Sequence, residues 1–166
     1  LPILRAVFLN DLVRGTADAA MIEEKLQEYN VDILHAKKWL TVLIHIEAEN
    51  AERPNALQKE LIPISVRQIA EDHLKDYCRF TIFNSSAGIT MIAAIDENNS
   101  QTGLLDHLGD ICKECRRVLE VTVTIAVGHS CQKLSELSQV YQSAVDALGY
   151  RSIVGVGQTI YINDVE

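Results

Sequence analysis

Apolar residues recur four apart at Leu4, Phe8 and Leu12, a spacing that stacks them on one side of a helix over 4–13. Gly15 ends that helix. Thr16 is the N-cap expected for a second helix carrying Ile22, Leu26 and Tyr29 on one face, with Asn30 as its stop. The period then changes to two. Over 39–48, Leu40, Val42, Ile44 and Ile46 fall on one side of a strand, and Thr41, Leu43, His45 and Glu47 on the other. A polar stretch over 49–58, with Pro54 and Asn55, reads as a loop. A helix follows over 64–77, with Val66, Ile69, Ala70, Leu74 and Tyr77 inward and Arg67, Glu71, Asp72 and Lys75 outward. Two β-rich runs, 79–83 and 89–95, are joined by Asn84-Ser85-Ser86-Ala87-Gly88, a turn composition. A long helix over 102–119 stripes Leu104, Leu105, Leu108, Ile111, Cys112, Cys115 and Leu119. The strand at 121–127 alternates Val121, Val123, Ile125 and Val127 with Thr122, Thr124 and Ala126. A helix over 134–150 buries Leu134, Leu137, Tyr141, Ala144 and Leu148, and a loop with Gly155 and Gly157 leads to a last strand at 159–162.

Behind the helical preface, the first six elements run strand, helix, strand, strand, helix, strand, the split repeat of ferredoxin-like folds; one more helix and strand follow. The expected class is α+β: a sheet of about five strands containing antiparallel pairs, with helices mainly on one face. Residues 1–38 form an N-terminal helical linker and 39–166 the domain proper. The His45/Glu47 and Thr122/Thr124 side is expected to be the more open face. Phe8 and Leu12 either meet a partner subunit or fold back on their own domain. The apolar opening Leu1-Pro2-Ile3-Leu4 suggests a cut inside a longer polypeptide.

Charge narrows the partners. Fifteen basic against twenty-three acidic residues leave −8, with no basic cluster longer than a pair, a surface that repels a phosphate backbone. Direct nucleic-acid contact is therefore not expected of this segment. No apolar run approaches the roughly 18 residues of a membrane span. Four cysteines (78, 112, 115 and 131) are too few and too unevenly spaced for a secreted disulfide scaffold, which points to the cytoplasm.

Candidate chemistry is sparse. Cys112-Lys113-Glu114-Cys115 has CxxC spacing, but no second pair completes a zinc site and both thiols fall on a buried stripe, so packing is the expected role. His45 and Glu47 point the same way from one strand, with Glu49 beyond them, an arrangement that acid–base work or a divalent ion would use given a third partner. His129-Ser130 lacks a nucleophile elbow, and Val154-Gly155-Val156-Gly157 precedes a strand instead of opening a helix, unlike a dinucleotide fingerprint. His35, His73 and His107 are scattered singly. No catalytic residue, metal ligand or cofactor is assigned from these residues.

The run Val123-Thr124-Ile125-Ala126-Val127-Gly128, followed by Leu137, Tyr141, Ala144, Ala147-Leu148, Tyr150-Arg151 and Gly155, resembles the C-terminal half of GGDEF-like domains. More narrowly it resembles the degenerate version in AraC-type two-component response regulators. The opening Leu1-Pro2, Leu4-Arg5, Phe8-Leu9, Leu12 and Gly15 is similar to the linker after the receiver there. The resemblance implies a receiver before this segment, helix-turn-helix units after it, and a homodimer. In cyclases of this type the hairpin carries Gly-Gly-Asp/Glu-Glu-Phe and the first strand an aspartate, which together hold Mg²⁺ over a nucleotide. Here the hairpin is Asn84-Ser85-Ser86-Ala87-Gly88, His45 stands at the aspartate position, and the RxxD feedback pattern for cyclic di-GMP is missing. Neutral imidazole is a poor ligand for hard Mg²⁺. The expectation is a regulatory relay domain that is not an enzyme; the alternative is a divergent nucleotide-binding or nucleotide-cyclase domain.

Overall fold

Lys38–Ile46 forms β1, and every other strand is arranged around it. The computed structural model describes residues 2–47 and 56–166. Ahead of β1 lie helix α1 (Pro2–Arg14), a 3₁₀ turn (Ala19–Met21) and helix α2 (Ile22–Glu28). After it come α3 (Ala56–Leu74), the hairpin β2 (Arg79–Ser85) and β3 (Gly88–Ile95), then α4 (Gln101–Glu114) with a π-helical turn at Cys115–Leu119. The chain closes with β4 (Val123–Cys131), a 3₁₀ turn (Leu134–Glu136), α5 (Leu137–Gly149), α6 (Arg151–Val154), β5 (Thr159–Tyr161) and α7 (Ile162–Val165). The sheet order is β2-β3-β1-β4-β5. β1 is antiparallel to both neighbours, with Leu40 opposite Ala93 and Ile44 opposite Ile125, and β4 with β5 is the parallel pair.

The α+β class and the five-stranded sheet are as expected, but the placement of helices on a single face is corrected. Leu40, Val42 and Ile44 of β1 pack with Val66, Leu74, Leu104, Leu108 and Ile111 of α3 and α4. Trp39 and Leu43, pointing the other way, pack with Leu9 and Leu12 of α1, Leu26 of α2 and Leu137, Tyr141 and Ala144 of α5. Both faces are thus covered, and Thr41 and Thr124, expected toward the open side, are fully buried. The reason lies outside the strands: the preface brings Phe8, Leu9, Leu12 and Val13 to the second face, so these residues fold back on their own domain.

Local differences have local causes. The 3₁₀ turn that leads into α2 is capped by Asp18, whose carboxylate accepts from the Ala20 N–H at 3.1 Å, and α2 itself has no side-chain cap; Thr16 instead bonds back to Asp11. α3 starts well before the expected position 64 and carries Pro63 inside it; the proline removes one N–H from the ladder without stopping the helix. The loop expected over 49–58, and Glu49 with it, falls largely outside the described residues. β4 runs on to Cys131 because β1 keeps pairing with it as far as Trp39, across a bulge between Leu40 and Val42. Among the described residues no helix is long and apolar enough to cross a membrane.

Candidate functional site

The end of the sheet where β1 finishes, β3 and β4 start and the β2–β3 hairpin turns gathers the polar groups singled out from the sequence. The hairpin is tighter than expected. Its strands extend to Ser85 and Gly88, which pair directly, leaving Ser86 and Ala87 as the turn. Gly88 takes φ +100°, a conformation side-chain-bearing residues avoid. Two helices hold the turn. The Tyr141 hydroxyl of α5 shares a hydrogen bond of 2.8 Å with Ser85 Oγ, which bonds Thr90 Oγ1 at 2.7 Å and accepts from the Ala87 N–H. From α1, Asn10 Nδ2 donates to the Asn84 carbonyl at 2.9 Å.

His45 and Glu47 do come together: Nε2 lies 3.5 Å from Oε1. Glu47 is mostly buried and anchors a wider cluster. Its Oε2 accepts a 2.6 Å hydrogen bond from Thr124 Oγ1, and Arg151 Nε approaches the same oxygen at 3.3 Å. Thr124 Oγ1 in turn accepts from the Gly157 N–H at 3.0 Å, so β1, β4, α6 and the loop before β5 meet on one carboxylate. Arg151 was visible in the sequence only as part of a resemblance, and nothing in local spacing joins it to residue 47. The arrangement neutralises Glu47 and fixes the loop of Gly155 and Gly157.

The remaining candidates serve the fold. Cys112 and Cys115 are free and buried in the α3–α4 core, and burial pushes their thiols up to about 11 and about 12. Both thiols are packed among apolar side chains, the place the buried stripe of the sequence predicts. His129 pairs with Glu166 at 3.0 Å, His73 with Glu114 at 3.1 Å, and His107 stacks on Tyr77 with ring centroids 4.3 Å apart. His35 occupies a left-handed turn position at φ +59°. Among the described residues no three His, Cys, Asp or Glu side chains converge as a metal site. A magnesium ion needs several oxygen ligands. Among the described residues, the carboxylate at the end of β1, Glu47, already accepts from Thr124 and faces Arg151, and no three ligands converge on it, so the residues described do not fit that ion.

A family model described as the GGDEF-like domain matches residues 14–150. No curated protein sequence matches the chain. Among solved structures, the chain is similar to the active GGEEF domain of a diguanylate cyclase from Vibrio cholerae, with a TM-score of 0.59 and 8% identity over 94% of each chain. It also matches a diguanylate cyclase/phosphodiesterase from Caldicellulosiruptor saccharolyticus, at TM-score 0.42 and 11% identity over 84% of this chain and 86% of that one. The first likeness corrects the expectation that the chain is not an enzyme: that exclusion rested on hairpin and first-strand residue types, yet the whole architecture is shared with a domain described as active. With the family model spanning most of its length, the chain belongs to the GGDEF-like domain family.

Proposed function

We propose that this domain is a regulatory module of an AraC-type two-component response regulator. In this reading residues 1–38 bring the state of a receiver to the sheet domain of 39–166, which passes it to a helix-turn-helix domain beyond this segment, in the cytoplasm and as a homodimer. The observation that carries it is the hydrogen bond from Asn10 of α1 to the Asn84 carbonyl, backed by Phe8, Leu9, Leu12 and Val13 in the core. The preface is bonded to the hairpin and buried against α5, so a displacement of α1 cannot leave the hairpin unchanged. The net charge of −8 supports a protein-contacting role over direct contact with DNA.

The test uses the full-length protein. Operator binding is measured with the receiver phosphorylated and unphosphorylated, for the wild type and for Asn10→Ala. The expected result is that Asn10→Ala shrinks the difference between the two states; an undiminished difference refutes transmission through α1. Sedimentation at micromolar concentration checks the dimer, and a monomer throughout removes that part.

A second reading, a nucleotide-binding or nucleotide-cyclising domain, is favoured by the shared fold. Calorimetry with GTP or ATP and Mg²⁺, followed by analysis for a cyclic dinucleotide, separates it from the first: saturable heat or product favours this reading.

A further inference from the structure

We propose that the groove across the outer edge of β2, between α1 and α3, binds a small organic anion: a carboxylate or phosphate carried on an apolar body. The groove encloses about 510 Å³, within the range of small-molecule sites, and Leu9, Ile82 and Phe83 give it an apolar floor. Its polar groups are unusual for a chain with so acidic a surface, because nearly all of them donate.

The backbone explains part of this. β2 is an edge strand, and in an antiparallel pair alternate residues turn both N–H and C=O away from the partner. The pairing of Ser85 with Gly88 and of Phe83 with Thr90 places Ile82 and Asn84 in the outward set. Their carbonyls are already taken: Arg67 Nη2 of α3 donates to Ile82 O at 2.9 Å, and Asn10 donates to Asn84 O at 2.9 Å. What the edge still offers is therefore the two N–H groups. Capped carbonyls also bar an added β-strand, which needs acceptors as well as donors, so a peptide is not the occupant.

The side chains agree. Arg5 lines the groove, is exposed, and makes no hydrogen bond or ion pair among the described residues. Arg67 spends Nε on Glu71 and Nη2 on Ile82 O, leaving further N–H groups of its fork unspent. Tyr29 adds a phenol. Among the described residues Glu28 is the one acid on the lining, and Lys25 sits 3.5 Å from it. Guanidinium groups beside backbone donors over an apolar floor suit a carboxylate or phosphate whose organic part reaches inward. A ligand there would touch both α1 and Asn84, the two ends of the hydrogen bond on which the regulatory reading rests, and so extends that reading to a chemical signal.

The experiment titrates phenyl phosphate and benzoate into the 166-residue chain by calorimetry, while backbone amide resonances are followed by NMR. Benzamide serves as the neutral analogue of benzoate, and inorganic phosphate as the head group without a body. The expected result is one saturable site for at least one organic anion, with a dissociation constant below about 1 mM. The Ile82 and Asn84 amide signals should move, and Arg5→Ala, at an exposed position, should weaken binding by about tenfold. Which anion binds more tightly distinguishes a carboxylate from a phosphate ligand. Benzamide binding as well as benzoate, inorganic phosphate binding as well as phenyl phosphate, unchanged affinity in Arg5→Ala, or no saturation by either anion overturns the site. Anion binding with an undiminished phosphorylation effect in Asn10→Ala would keep this site and remove the regulatory reading.

Discussion

Leu12→Ala tests whether α1 belongs to the folded core or merely leans on it. Leu12 is 3% exposed, on the face of α1 that packs with the α5 side of the sheet. Truncation to alanine removes three carbon atoms, a transfer loss of about 2.4 kcal/mol at roughly 0.8 kcal/mol per group. The space left behind adds to this, and buried Leu→Ala changes span about 2–5 kcal/mol. For a chain of this size that lowers the melting temperature by about 4–20 °C, at 2–4 °C per kcal/mol. The control is Val7→Ala on the same helix: Val7 is 51% exposed, so its change should stay within about 0.5 kcal/mol. Urea unfolding of both variants, read by circular dichroism and by Trp39 fluorescence, gives the comparison. Trp39 sits in the same cluster as Leu12, and its indole N–H donates to the Ile33 carbonyl, so its signal reports that face. A Leu12→Ala midpoint matching that of Val7→Ala would refute the reasoning. So would an unchanged global midpoint with fast hydrogen exchange confined to α1, since that helix would then open independently.

Other outcomes follow from particular contacts. A Cβ added at Gly128 would lie 2.5 Å from both Ser143 Oγ and the Val140 carbonyl and 2.8 Å from the Ala144 nitrogen, so Gly128→Ala should cost about 1–3 kcal/mol in denaturant unfolding. Arg79 holds Asp96, Asp32 and the carbonyls of Leu34 and His35 with one fork; Arg79→Lys keeps the charge, loses the fork, and should cost about 1–3 kcal/mol by the same assay. Burial raises the thiols of Cys78, Cys112 and Cys131 to about 11 and that of Cys115 to about 12, from 9.0. The folded chain therefore holds these protons after the unfolded chain has released them. Their contribution is whole below pH 9 and is lost as pH rises through about 11 to 12, so unfolding free energy measured across that window should fall, and a flat profile contradicts the burial argument.

Much of the architecture was legible wherever periodicity was strong. The alternation in β1 and β4 and the stripes of α4 and α5 put the right residues inside, because burial on one side of a strand or helix leaves a direct mark on the chain. Coverage of the second face was not legible. Whether Leu43 and Thr41 meet solvent or a helix depends on where α1 and α5 pack, which no local pattern in β1 records. At the candidate site the pairing of His45 with Glu47 was readable from strand alternation, whereas Arg151 and Thr124 reach Glu47 only through the sheet register and the turn after α5. The Asp18 cap escaped because a 3₁₀ turn separates it from the first fully helical residue, Ile22. The enzyme question shows a different limit: residue types at one hairpin describe ligands, while membership of a fold class is carried by the whole sheet.

The middle position of β1 also bears on how the polypeptide is made. That strand leaves the ribosome ahead of both flanking partners, β3 and β4, with Trp39 waiting for Ala94 and then Cys131. Throughout that interval the nascent chain displays an apolar ribbon with two unsatisfied borders, the kind of segment that chaperones hold and that associates with its copies when synthesis outpaces folding.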